Sequence, residues 1–210
     1  MKTPLGRLSF LLLGWALAVS VAGRFQFLLF LPPWAVPILV AGLTIGLTRL
    51  LDGWLQPAVA ELGVRRIVAV HLIRFVGAAF LWMQLQGRLP AEFAHRAGWG
   101  DIASAIGAGI LLLWPAGRTF NRLLFAWNIF GALDLVVAMG TAGWFNVTQP
   151  GSMIEVSRFP LTLVPLFGVP VLLSTHWIML RQLVRGRDQN DSIGSNGAHF
   201  GDRHTIGTQS

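Results

Sequence analysis

Five polar side chains fall inside long apolar stretches of this 210-residue chain. His71 and Arg74 lie three residues apart in one stretch, Asn128 and Asp134 lie in a second, and His176 lies in a third. An imidazole or a carboxylate can take up a proton, and an arginine can hold a carboxylate. Each such group is costly in an apolar environment unless it finds a partner or water. These five side chains could therefore form hydrogen bonds between helices, bind an ion or relay protons.

The segments that carry these groups are apolar enough to cross a membrane. Hydrophobic residues make up 54% of the chain and charged residues 12%, with a mean hydropathy of +0.61. Soluble domains carry about 25% charged residues, so the composition excludes an ordinary soluble enzyme and a disordered regulator. The chain has no cysteine, which excludes thiol nucleophiles, cysteine-bound zinc and a disulfide scaffold.

The sequence predicts an all-α integral membrane bundle of six transmembrane helices, because a run of about 20 apolar residues spans a bilayer. The predicted spans cover residues 8–31, 34–51, 67–85, 102–116, 123–145 and 159–180. Together they form one transmembrane domain, residues 1–187. Residues 188–210 are rich in Gly, Ser, Asn and Asp and have no hydrophobic periodicity, so we expect a disordered cytoplasmic tail.

The first apolar run has a second interpretation. Lys2 and Arg7 precede it, and together with the SVA sequence at residues 20–22 they resemble a cleavable signal peptide. Cleavage there would leave five spans. Because the apolar character continues to Leu31, beyond the length of a signal peptide's hydrophobic region, we favour an uncleaved first span.

Basic residues mark the ends of the predicted spans and orient them. With the N-terminus inside, ten lie on the cytoplasmic side and three on the other. The ten are Lys2, Arg7, Arg49, Arg65, Arg66, Arg118, Arg122, Arg181, Arg185 and Arg187, and the three are Arg88, Arg96 and Arg158. This asymmetry predicts that both termini are cytoplasmic. The same distribution assigns the net charge of +7 to contact with the lipid bilayer, so we expect no nucleic-acid partner. The sequence leaves open whether the chain has a protein partner or forms a homo-oligomer.

The depths of the polar groups suggest one intramembrane polar site. A rise of ~1.5 Å per residue places His71, Asn128 and His176 at similar depths, with Arg74 and Asp134 deeper. A structural interpretation pairs Arg74 with Asp134 and bonds the histidines to neighbouring carbonyls. A functional interpretation makes the site a cavity open to the cytoplasm, where a His and an Asp bind an ion or relay protons. The sequence supports both.

A third interpretation makes His71 and His176 the axial ligands of a b-type haem in a membrane redox protein. Equal depth is required for that arrangement, and the chain offers no second histidine pair for an electron path across the membrane. We therefore expect no cofactor and no metal, and haem b is the alternative.

A second candidate site lies in the predicted outer loop, where Glu92, His95, Arg96 and Asp101 fall within ten residues. These types could serve acid–base chemistry or a metal, but their spacing matches no metal motif such as HExxH. We expect a charged loop at the membrane surface instead, with Asp101 capping the fourth span.

Several motifs resemble an uncharacterised family of small polytopic bacterial inner-membrane proteins. They are HLIRFVG at 71–77, LPAEFA at 89–94, GWGDI at 98–102, WNIFGALD at 127–134 and PLTLVPLFGVP at 160–170. The resemblance covers residues 34–183 and implies a bacterial inner membrane, without an activity or residue role. We expect a transport, sensing or accessory role rather than catalysis.

Overall fold

The computed structural model describes residues 3–184, and the predicted tail at 188–210 lies outside them. Within this range the chain forms helices and no strand, so the predicted all-α fold is confirmed. The helices are α1 Pro4–Arg24, α2 Ala35–Asp52, α3 Gln56–Val70, α4 Gly77–Leu85, α5 Ala91–Leu113, α6 Arg118–Thr148 and α7 Val164–Val184. Short 3₁₀ segments cover Phe27–Phe30, His71–Val76 and Ile154–Ser157, and α7 opens with a π-helical turn, Val164–Gly168.

Five helical units are long and apolar enough to cross a membrane: α1, α2, the continuous unit Gln56–Leu85, α6 and α7. Large apolar side chains on their outer surfaces are exposed, for example Leu13 at 71% and Leu85 at 80%. A surface of this kind is what a helical bundle presents to lipid chains rather than to water.

Helix α5 differs from the span predicted at 102–116, because it begins at Ala91. Pro90 occupies the N-cap position and Glu92 lies in the first turn, where a carboxylate favours the positive end of the helix. The residues expected to form an outer loop are therefore the first half of a helix. Its polar first half also explains why α5 is not among the five strongly apolar units.

The first and third spans also depart from the apolar pattern. The first helix ends at Arg24 and not at Leu31, since Gln26 adopts a left-handed conformation with φ 55°. Helix α3 is kinked at Gly63, whose φ of 68° and ψ of 157° interrupt the unit Gln56–Leu85 about two turns after its start. Glycine adopts such a positive φ without steric cost.

Contacts between helix ends define a basic end of the bundle. Arg7 lies over the ring of Trp54 at 5.7 Å, and Arg181 forms an ion pair with Asp52. Arg65 donates to the carbonyls of residues 112 and 114, each at 2.6 Å. Each of these arginines belongs to the set that the sequence assigned to one side of the membrane.

The opposite end of the bundle carries a second group of ion pairs. Glu155 accepts hydrogen bonds from Arg88 at 2.5 Å and from Arg158 at 2.9 Å. Two of the three basic residues on this side are therefore held by one carboxylate.

Helix α5 packs against both α4 and α6. A Cβ atom at Gly77 would lie 2.5 Å from the carbonyl oxygen of Gly98, so the two helices meet backbone to backbone. Ala97, Ala105 and Ala108 are also fully buried along α5. Small residues permit such close helix contacts in membranes, and they place the middle of α5 next to His71–Val76.

Candidate functional site

Arg74 is the centre of a buried group of charges. Its side chain is 1% exposed, and Nε donates to Oδ1 of Asp101 at 2.7 Å. Nη1 donates to the carbonyl of Gly131 at 3.0 Å, and Nη2 forms an ion pair with Asp134. The Arg74–Asp134 pair expected from the sequence is present, and Asp101 is a second acidic partner. We call Arg74, Asp101 and Asp134 the charge cluster.

The position of Asp101 corrects an expectation from the sequence. We expected Asp101 to cap a helix at the membrane surface, but it lies inside α5 and is 6% exposed. Ten residues of helix separate it from Ala91, a rise of about 15 Å. Arg74 lies at a similar distance before the end of α4 at Leu85, so the two side chains meet at one level.

The charge cluster contains two carboxylates and one guanidinium. When both carboxylates are ionised, the cluster carries one excess negative charge among groups that are at most 11% exposed. An uncompensated charge in a buried site is strongly destabilising. A single proton or a monovalent cation would balance the cluster.

His176 lies beside this cluster with its hydrogen-bonding roles fixed by Asn128. The amide nitrogen of Asn128 donates to the backbone carbonyl of His176 at 3.0 Å, which sets the orientation of the amide. The amide oxygen then faces His176 Nδ1 at 2.7 Å, so Nδ1 of the neutral ring carries the proton. Nε2 holds the lone pair, and it is buried without a partner among the described residues.

His71 has the opposite tautomer by the same reasoning. The hydroxyl of Thr175 donates its one proton to the carbonyl of Leu172 at 2.8 Å. Its oxygen must therefore accept from His71 Nε2 at 3.0 Å, which places the ring proton on Nε2. The lone pair lies on Nδ1, which is also buried without a partner in the part of the chain that the structure describes.

The two histidine rings are in direct contact. Their centroids lie 4.4 Å apart at an angle of 54°, and the Trp127 ring packs against both. Axial ligation of a haem by two histidines requires the porphyrin plane between the rings. Rings packed at this distance leave no space for it, so the arrangement does not fit a haem held by His71 and His176. Among residues 3–184, no group of three or more His, Asp or Glu is placed to hold a metal ion.

Gly131 joins the histidines to the charge cluster. A Cβ atom at this position would lie 2.8 Å from His176 Nε2 and 3.2 Å from Arg74 Nη1. The missing side chain thus lets the ring and the guanidinium approach the same point of α6. Gly100 likewise lets the carboxylate of Asp134 approach α5, because a Cβ atom at Gly100 would overlap that carboxylate. Steric complementarity of this kind concentrates all five predicted polar residues and Asp101 in one site.

Two cavities reach this site from different directions. A crevice of about 870 Å³ lies between α2, α6 and α7, and its lining runs from Asp52 and Arg181 at the basic end to Asn128 and His176. We call it the polar crevice. A second space of about 400 Å³, the inner cavity, is lined by Arg74 and Asp101 and otherwise by apolar residues.

The remaining residues of the predicted outer-loop site do not join Asp101. Glu92 and Arg96 form an ion pair of 2.8 Å one helical turn apart, and their side chains are 58% and 55% exposed. His95 is also exposed on α5. Asp101 is buried on the inward side of the same helix, so the four residues are divided between two environments.

Sequence reasoning missed Asp101 as a cluster member and Thr175 as the partner of His71. The signal for Asp101 was the helix start at LPAEF, residues 89–93, which sets its depth. Nothing in the sequence marked Thr175 beyond its place next to His176.

The fold and this site define the class: an all-α membrane protein with a buried charge cluster between two cavities. The chain belongs to a family described as a domain of unknown function (DUF8737), which matches residues 33–184. This agrees with the uncharacterised family whose motifs the sequence resembles. The matched region includes α2 to α7 and every residue of the site. No curated protein and no solved structure matches the chain.

Proposed function

We propose that this protein binds a proton at its charge cluster and relays it between the polar crevice and the inner cavity, as part of proton-coupled transport or sensing. The observation that carries the proposal is the unequal charge of the cluster: Arg74 faces two carboxylates, Asp101 and Asp134. Ionisable groups inside membrane segments mark proton and ion pathways in many transporters.

The histidines supply a path from the polar crevice to the cluster. His176 lines the crevice and its free lone pair on Nε2 lies next to Arg74 across Gly131. His71 contacts His176 and has a second free lone pair on Nδ1. Both nitrogens can accept a proton without first breaking a hydrogen bond, which suits a relay.

The charged and titratable groups in and around the cluster come from four elements. Arg74 and His71 belong to the 3₁₀ segment, Asp101 to α5, Asp134 to α6 and His176 to α7. A proton on one carboxyl leaves Arg74 paired with the other, so the cluster can change its protonation state while it keeps an ion pair.

We further propose that the protein resides in a bacterial inner membrane with the basic end in the cytoplasm. The support is the excess of Arg and Lys at that end, which follows the positive-inside rule. The polar crevice would then open toward the cytoplasm.

The test is proton binding and movement by the purified protein in lipid vesicles. Infrared difference spectra across a pH titration should show a carboxyl stretching band that Asp101→Asn or Asp134→Asn removes. Glu92→Gln, which changes an exposed carboxylate on the same helix as Asp101, should leave the band unchanged. Vesicles loaded with a pH-sensitive dye should report proton movement that the two aspartate variants abolish.

Two results would contradict the proposal. The first is the absence of the carboxyl stretching band at every pH at which the protein stays folded, because the cluster then binds no proton. A band without proton movement would make the cluster a structural element that holds the helices together. An absorbance spectrum after haem-replete expression provides a separate check, because a Soret band would support the haem alternative.

A further inference from the structure

The inner cavity has the size and lining of a small-molecule site. Its volume of about 400 Å³ falls in the range of ligand pockets, roughly 300–1,000 Å³. Its wall is mostly aliphatic and includes three aromatic rings and one thioether, those of Phe80, Phe93, Phe167 and Met139. The rings of Phe80 and Phe93 lie 5.5 Å apart and are inclined at 60°. An aromatic ring placed against these side chains gains edge and face contacts.

Two charged residues contribute to the otherwise apolar wall of the inner cavity. Asp101 and Arg74 are the charged side chains in its described lining, and Arg74 is 1% exposed with Nε directed at Asp101. Asp101 uses Oδ1 for that bond, and no hydrogen bond joins its Oδ2 to a described residue. Oδ2 of Asp101 is therefore a free acceptor on a residue that lines an otherwise apolar space.

The free acceptor selects the head group of a ligand. Carboxylates outnumber the guanidinium in the charge cluster, so a carboxylate or phosphate head group would be repelled. A cationic head group would balance the charge of the cluster, but it would have to shed its hydration in a space whose other walls are apolar. A hydroxyl needs one acceptor and carries no charge, and Asp101 supplies that acceptor.

The wall of the cavity also contains an irregular helical turn. The π-helical turn Val164–Gly168 at the start of α7 contributes Val164, Pro165, Phe167 and Gly168 to the lining. Single π turns inside helices frequently lie at functional sites. This irregularity and the free carboxylate oxygen are independent observations that point to the same space.

We propose that the inner cavity binds an aromatic lipophile with a hydroxyl head group, of the phenol or quinol class, with the hydroxyl donating to Asp101. Binding of such a molecule does not require proton relay by the charge cluster, so the two proposals can fail separately.

The test uses three matched probes and the full-length protein in lipid nanodiscs. Radiolabelled para-octylphenol should bind saturably above the partition measured in empty nanodiscs. Octylbenzene lacks the hydroxyl and should compete about threefold to tenfold more weakly, the factor that one hydrogen bond contributes. Ionised para-octylbenzoate should not compete. Equal competition by the three probes would overturn the proposal. Binding of para-octylphenol that is no greater than its partition into empty nanodiscs of the same lipid content would also overturn it.

Variants locate the site. Ala138→Leu fills the inner cavity and should weaken para-octylphenol binding at least tenfold, whereas Ala103→Leu adds the same atoms on the exposed side of α5 and should not change it. Unchanged binding in a folded Ala138→Leu protein would overturn the proposal. If that variant fails to fold, the comparison of the three probes on the unaltered protein still decides between specific binding and partition.

Discussion

Arg74 and Asp101 are 27 positions apart in the sequence and lie on neighbouring helical elements, yet Nε of Arg74 donates to Oδ1 of Asp101 at 2.7 Å inside the bundle. This bond joins the 3₁₀ segment His71–Val76 to the middle of α5. Asp134 on α6 completes the cluster from a third direction. One guanidinium thus holds three elements together, and its two acidic partners decide the charge of the site.

Replacing Arg74 should be more damaging than replacing either carboxylate. Arg74→Gln leaves two buried carboxylates without a cation, and we expect a loss of about 3–5 kcal/mol in the free energy of unfolding. Asp134→Asn should cost less, because Arg74 keeps Asp101 as a partner. Denaturation in detergent measures both.

The double variant tests direct pairing in this cluster. Asp134→Asn added to Arg74→Gln should restore part of the stability, since it removes one unpaired charge. Arg96→Gln is the matched control: its ion pair with Glu92 is exposed, so the change should stay within about 1 kcal/mol. Strictly additive losses for Arg74 and Asp134 would show that the two side chains do not interact.

Gly131 should tolerate no larger residue. In Gly131→Ala the new methyl group would lie 2.7 Å from the His176 ring, and we expect a destabilisation of about 1–3 kcal/mol from overpacking. Gly140→Ala on the same helix is the control, because a Cβ atom there meets nothing within 4 Å. Alanine favours the helix over glycine by up to ~1 kcal/mol, so Gly140→Ala should be neutral or stabilising. Equal melting temperatures for the two variants would contradict the close contact at Gly131.

The two histidines should differ in tautomer. Nitrogen-15 NMR on the protein in lipid should show the neutral ring of His176 protonated at Nδ1 and that of His71 at Nε2. Thr175→Val removes the acceptor of His71 and should change the His71 signals, while the His176 tautomer persists because Asn128 still fixes it. A His176 ring protonated at Nε2 would refute the arrangement with Asn128.

The proposed orientation can be tested directly, because the chain contains no cysteine. Single cysteines at Ala116, between α5 and α6, and at Gln149, after α6, mark the two ends of the bundle. In intact cells a membrane-impermeant thiol reagent should label Gln149→Cys and not Ala116→Cys. Both should react after the cells are opened, and the reverse pattern would invert the orientation.

The fold was predictable where composition alone determines structure. Long apolar runs must become helices in lipid because no other open structure satisfies their backbone groups. The prediction was less accurate at α5, whose polar first half masks a helix that begins at Ala91. A search for apolar runs finds helices that lipid surrounds. It misses this half of α5, because Glu92 and Arg96 are exposed on one side while the other side packs against neighbouring helices.

The sequence by itself determined the all-α class, the basic ends and the set of polar residues that must find partners. It also indicated the Arg74–Asp134 pair, because both side chains lie deep in apolar runs. Only the tertiary structure placed Asp101 in the cluster, brought the His71 and His176 rings into contact and left a cavity beside them. The physical reason is that helix rotation and close approach depend on what each small residue faces across the interface: Gly77 faces Gly98, and Gly131 faces the His176 ring. That pairing is a property of the packed bundle and not of any single segment.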